Sequence, residues 1–194
     1  TLQEDIWIKK NLGKIGLDLK QELLGNSINP VDNSNEAPKS ISRSESFKEF
    51  QTEKAYIQEQ LNLHIHKVCK KLRSLDLLTS CISVMLRTKD FQVFDVKINL
   101  INPTNTEFEL VEHGKIILDK LFQKGIIYRS TGFCAMKLTP SAEKQISLFE
   151  GEKQIQKENL SKSWDKLEEK FGKGVLKLGS GNLNSTKELL KFIG

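Results

Sequence analysis

Residues 79–88, TSCISVMLRT, alternate apolar and polar side chains, and residues 93–101 alternate again after a short break at Lys89–Asp90. A period of two is the mark of a half-buried β-strand. The alternation turns Ile82, Val84 and Leu86 one way and Ser83, Met85 and Arg87 the other. In the second run Phe94, Val96, Ile98 and Leu100 point inward, and Asp95, Lys97 and Asn99 outward. Two such strands joined by a tight turn make a hairpin with one dry face and one wet face, and the dry face needs cover from one side only. The flanking segments supply it. Residues 48–74 repeat Phe50, Ile57, Leu61, Val68 and Leu72 near three-and-four spacing, and residues 106–124 carry an apolar stripe that includes Leu110, Ile117, Leu118 and Leu121. Both read as amphipathic helices. Residues 39–47 and 126–138 read as further strands, the latter with a bulge at Gly132. The order is β-α-β-β-α-β, an α+β unit with a four-stranded sheet and both helices on one face.

Outside this unit the pattern is looser. Residues 1–25 form a patchy helix interrupted by Gly13 and Gly16, and residues 26–38, NSINPVDNSNEAP, have the composition of a linker. Residues 139–157 are charged and amide-rich, and the tail, 158–194, carries one short helix in which Leu160, Trp164, Leu167 and Phe171 form the apolar stripe. The chain opens on Thr1 inside a helical pattern, so a fragment of a longer protein is expected.

The net charge of +5 makes a polyanionic partner plausible without locating it. The three cysteines, Cys69, Cys81 and Cys134, are far apart and odd in number, which fits unpaired core thiols in a reducing cytosol. No apolar run approaches the roughly 20 residues of a membrane helix. Neither a phosphate-cradling glycine loop nor a nucleophile-elbow motif occurs. His64 and His66 project about 200° apart on a helix and cannot share a metal. Glu107, Glu109 and Glu112 read as acids at a helix N-terminus. No residue is assigned a catalytic or metal-binding role. What remains is the wet face of the sheet: the serines at 40–46, with Arg87, Lys97, Arg129 and Thr131. Small hydroxyls and cations suit a phosphate backbone, although the same composition also suits a merely solvated surface.

The segments PKSISRSESF (38–47), LLTSCISVMLRTKDF (77–91), INPTNT (101–106) and GIIYRSTGFCAMKL (125–138) resemble the C-terminal part of the Y-family translesion DNA polymerases, in the UmuC-like branch. The resemblance implies that residues 39–138 are the little-finger domain, whose open sheet face grips DNA backbone phosphates. It implies that residues 1–25 end the thumb domain, that 26–38 tether it to the little finger, and that 159–180 form the helix and turn that follow. Carried over residue by residue, it points to Ser40, Ser42 and Arg43 on the first strand, Arg87 on the second, and Arg129, Thr131 and Gly132 on the last. Lys89 and Lys97 supply supporting charge.

Gln145-Ile146-Ser147-Leu148-Phe149 resembles the bacterial sliding-clamp peptide. In such a peptide Leu148 and Phe149 would fill an apolar pocket on the clamp, with Gln145 and Ser147 completing the motif. The resemblance therefore implies primer-template DNA, the clamp and SOS accessory proteins as partners of a cytoplasmic polymerase in DNA damage tolerance. Its Mg²⁺ is held outside these residues. Two readings of other classes stand beside it: a stand-alone, non-catalytic DNA- or clamp-binding module, and a small αβ enzyme using Cys134 or Cys69.

Overall fold

The computed structural model describes residues 2–28, 37–143, 151–172 and 174–176. The chain divides into two compact units, Thr1–Ala37 and Pro38–Gly194. In the first, α1 (Leu2–Leu23) bends where Gly13 takes φ +67°. The bend lets Lys20 Nζ reach Asp5 Oδ1 at 2.6 Å. In a straight helix that separation would put them about 22 Å apart along the axis.

The second unit runs β1 (Ser40–Gln51), α2 (Lys54–Ser74), β2 (Leu77–Thr88), β3 (Val93–Thr104), α3 (Glu107–Leu121), β4 (Tyr128–Pro140), a single 3-10 turn (Ser141–Glu143) and α4 (Gly151–Phe171). The sheet order is β1-β4-β2-β3, and every neighbouring pair is antiparallel. Two crossovers are thus interleaved: α2 carries the chain from β1 over β4 to β2, and α3 carries it from β3 over β2 to β4. Both helices lie on the same face, as the β-α-β-β-α-β reading requires. The core joins Ile57, Leu61, Ile65, Val68 and Leu72 of α2 to Leu110, Ile117 and Leu118 of α3. Beneath them lie Ile82, Val84 and Leu86 of β2 and Phe133 and Ala135 of β4. Val96, Ile98 and Leu100 pack against this core from β3. No helix of the described residues is long and apolar enough to cross a membrane.

Three local expectations change. β1 continues to Gln51, so Phe50 belongs to the strand, is exposed, and is no part of the α2 stripe. Gly132 sits in regular register opposite Ser44 and Met85. The bulge falls instead at Arg129, the extra residue between the pairs Arg87↔Ser130 and Thr88↔Tyr128. In α4, Leu160, Leu167 and Phe171 are exposed, whereas Ser161, Trp164 and Glu168 are buried.

Charge explains the last change. The Arg73 guanidinium donates to both oxygens of Asp165 (Nε 2.6 Å, Nη2 2.8 Å) and to both oxygens of Glu107 (Nη1 3.0 Å, Nη2 2.5 Å). Glu107, fully buried at the start of α3, also accepts from Ser161 Oγ at 2.8 Å. His66 faces Glu107 Oε1 through Nδ1 at 3.2 Å and Glu168 Oε1 through Nε2 at 3.1 Å, and its ring stacks on Trp164. Lys70 Nζ closes the network on Glu168 at 2.9 Å. Burial opposes ionisation of both acids, but hydrogen bonds outweigh it. Those from His66 and Arg73 hold Glu107 below the usual carboxylate range, and those from Lys70 and His66 hold Glu168 at about 2. α4 thus docks on α2 and α3 through satisfied charges and one indole.

A neutral imidazole has one N–H, and His66 faces a carboxylate oxygen with each ring nitrogen, so the imidazolium is the form that fits. Burial lowers its pKa, but hydrogen bonding to Glu107 and Glu168 outweighs this and raises it above 6.5. The stability this adds is complete below about pH 6.5 and is lost as pH rises through the raised value. Nearby His64 works oppositely: burial, then Lys67, lowers it to about 4, so its neutral form destabilises the fold as pH falls from 6.5 toward that value. Raising pH from 6 to 9 should therefore loosen α4, read from the Trp164 indole and His66 ring NMR signals. The His66→Gln variant should lose that alkaline dependence. An unchanged profile in the variant would remove His66 from this role.

Candidate nucleic-acid interface

Strand register assigns each candidate residue to a face. Partners across the sheet share a side, and the core row Ile41↔Ala135↔Ile82↔Ile98 marks the helix side. The opposite side carries the row Ser42, Cys134, Ser83, Lys97 and, further along, Ser46, Ser130, Arg87, Val93. Ser40 and Ser44 belong to the same side by alternation, and all four β1 serines are exposed. Neither α2, α3 nor α4 covers this face, since α2 and α3 share the other and α4 packs on them.

Ser40, Ser42, Arg87, Lys97 and Gly132 therefore come together. Arg87 is half-buried, and its Nε has no hydrogen-bond partner among the described residues. Lys97 is exposed, and Lys137 Nζ joins the face by donating to Asn99 Oδ1 at 2.9 Å. Lys137, which sequence reasoning missed, reaches it because its backbone takes φ +50°. At the β2–β3 end, Lys89 lies near the Phe50 ring (5.8 Å) and Arg129 lies over the exposed Phe91 ring, 4.1 Å from its centroid.

Two candidates do not belong here. Thr131 is fully buried on the helix side, opposite Glu45 and Leu86, and donates to Met85 O at 3.1 Å. Arg43 pairs with Phe133 and so shares the helix side, where it lines a groove beside α2. The parity of the strands, not the motif they fall in, decides both. The thiols make poor nucleophiles. Burial pushes Cys69 well up and Cys134 up, and Cys134 lies half-buried on the wet face, outside the core. Among the described residues no three His, Cys, Asp or Glu side chains converge to hold a metal ion. Gln145, Ser147, Leu148 and Phe149 lie outside the described residues.

A family model described as the impB/mucB/samB family C-terminal domain matches residues 38–148. Among solved structures, the insertion ternary complex of Dbh DNA polymerase is 15% identical, with 69% of this chain and 38% of that chain covered and a TM-score of 0.48. DinB from Sulfolobus solfataricus is 16% identical over 66% of this chain and 37% of that chain, TM-score 0.46. A complex of the beta-clamp processivity factor and the little finger domain of PolIV is 19% identical over 56% of this chain and 97% of that chain, TM-score 0.44. The chain thus spans 38% of the length of the Dbh polymerase that it matches. No curated protein matches the sequence.

Gly132 sits at the centre of the wet face because nothing larger fits. A Cβ there would lie 2.9 Å from Ser44 Cβ and 3.1 Å from Met85 Cε, so the β1–β4 pair would have to move apart. Gly132→Val should cost about 1–3 kcal/mol, seen as a lower urea midpoint at unchanged m-value. A midpoint equal to that of the parent protein would show that β1 yields without cost.

Proposed function

The chain belongs to the impB/mucB/samB family through its C-terminal domain, and from that premise we propose that it is the DNA-gripping and clamp-recruiting end of an error-prone translesion DNA polymerase. The observation that carries this reading is the sheet face left bare by α2, α3 and α4, where four exposed serines share a side with Arg87 and Lys97, Ser46 in the row of Arg87 and Ser42 in the row of Lys97. Hydroxyls let a sugar-phosphate backbone approach closely, and the cations neutralise it. Such contacts position a duplex without reading its sequence, which suits an enzyme that must act wherever a lesion lies. Ser40, Ser42, Arg87, Lys89, Lys97, Arg129 and Gly132 are assigned to this grip, with Arg129 and Lys89 reaching the backbone from the β2–β3 end.

Polymerisation itself is assigned to another part of the parent protein. Its Mg²⁺ is assigned there with it, and the carboxylates of the helix layer described here, Glu107, Asp165 and Glu168, are taken by Arg73, His66 and Lys70. Gln145, Ser147, Leu148 and Phe149 are assigned to the sliding clamp. Two buried apolar side chains would supply roughly 3–6 kcal/mol before ordering costs, a tether weak enough to exchange. A cytoplasmic role in the SOS response, with accessory proteins, completes the proposal.

Duplex binding by this chain should weaken steeply with salt and vary little between sequences. Arg87→Ala with Arg129→Ala should lower affinity about tenfold or more on every duplex and reduce the salt slope by about two. A double variant that binds as tightly as the parent protein would place the interface elsewhere.

Leu148→Ala with Phe149→Ala should abolish binding to a bacterial sliding clamp in surface plasmon resonance while leaving duplex affinity intact. Retained clamp binding would remove the peptide from this role and leave the DNA grip to be judged separately.

A further inference from the structure

The side of the sheet away from the serines carries a second surface. A groove of about 830 Å³ runs along α2 from Glu59 to Ser74, with β1 as one wall and α4 at its end. Its floor is apolar: Ile41, Leu63, Val68, Trp164 and Leu176. Its rim is cationic: Arg43, Lys67, Lys70, Lys71 and the His66 edge, against only Glu59 and Glu168. Glu168 is taken by Lys70 at 2.9 Å and by His66, and Lys67 is loosely held by Glu45 at 3.9 Å. Arg43 and Lys71 make no ion pair among the described residues. The β1 wall, formed by Ile41, Ser42 and Arg43, is also part of an edge: among the described residues β1 pairs only with β4, so its outward backbone groups have no strand partner.

We infer that this groove docks a short acidic segment of a partner protein, held extended along β1 with one or two large apolar side chains on the groove floor. Length, charge and backbone point the same way. From Glu59 to Ser74 α2 spans about 22 Å, which six or seven extended residues cover. The unmatched rim cations call for carboxylates, and the open strand edge offers a rail for backbone hydrogen bonds. A nucleic-acid backbone meets the charge but leaves the floor of Ile41, Leu63 and Trp164 unfilled. The inference does not rest on the DNA reading, which uses the opposite face and shares with the groove only Ser42 at the β1 edge.

The test uses the whole chain and a fluorescein-labelled heptapeptide, Asp-Leu-Glu-Phe-Asp-Leu-Glu, followed by anisotropy and by amide NMR shifts. Two control peptides replace the acids by lysine or the apolar residues by serine. The parent peptide should bind, both controls should bind at least about tenfold more weakly, and shifts should gather at Ile41–Arg43, Leu63–Lys71 and Trp164. Arg43→Ala with Lys71→Ala should weaken binding about tenfold while the fold, read by circular dichroism, is kept. Leu63→Ser should weaken it as well, by emptying part of the floor. Absence of binding, equal binding of the serine peptide, or shifts gathered on the serine face would each overturn the inference. Displacement of the peptide by duplex DNA, with shifts at the same groove residues, would overturn it in favour of a nucleic-acid surface.

Discussion

One-sided burial of the sheet governs this molecule. α2 and α3 both settle on the same face, and the strands lie in register from β1 to β3. Side chains alternate without exception through a regular pair, so burying Ile82, Phe133 and Ala135 also commits Ser42, Ser83 and Lys97 to the other side. A slip of one residue in β1 would move its serines under α2 and bring Ile41 into water. The wet face is thus a consequence of the core, and its composition is free to serve a partner because stability is provided from behind it.

A second layer rests on different physics. α4 joins the helix layer by placing Glu168, Asp165 and Ser161 against Arg73, His66, Lys70 and Glu107. Buried charges are costly unless every lone pair and proton is met, and here most are met more than once. Such an arrangement is selective rather than adhesive: an apolar stripe could slide or rotate, whereas a guanidinium shared by two carboxylates fixes both the register and the rotation of α4. Breaking it by Glu107→Ala would leave Arg73 half-paired in a buried site, the situation that costs most.

The fold was legible because its signals were local and periodic. The alternation of 79–88 and 93–101, and the three-four stripes of α2 and α3, each demand one partner surface, and only a two-layer unit supplies all of them. The site was legible in part. Arg87, Lys97 and the serines follow from parity, but Arg43 is placed by its motif against the parity of β1, and Thr131 is read outward with Arg129, whose bulge interrupts the alternation. Lys137 was invisible because its side is set by a positive φ, which alternation does not encode. The Arg73–Glu107–Glu168 network was illegible for another reason. Its members come from three helices, and a Glu among the acids of a helix start looks the same whether it offsets the helix dipole or anchors a distant Arg.

That network also changes what the net charge of +5 means. A total counts every lysine and arginine alike. Arg73, Lys70 and protonated His66 are consumed by Glu107, Asp165 and Glu168, so they project little field outward. The cations able to act on a partner are those without such neighbours, and two sets of them stand on opposite sides of one sheet. Arg87 and Lys97 stand in cross-sheet rows with serine hydroxyls and beside no apolar groove, which favours a phosphate backbone. Arg43 and Lys71 stand at the lip of an apolar floor, which favours a side chain with something to bury. Equal charge in unequal surroundings separates the two partners, and the sheet stands between their sites except at the β1 edge, where Ser42 borders both.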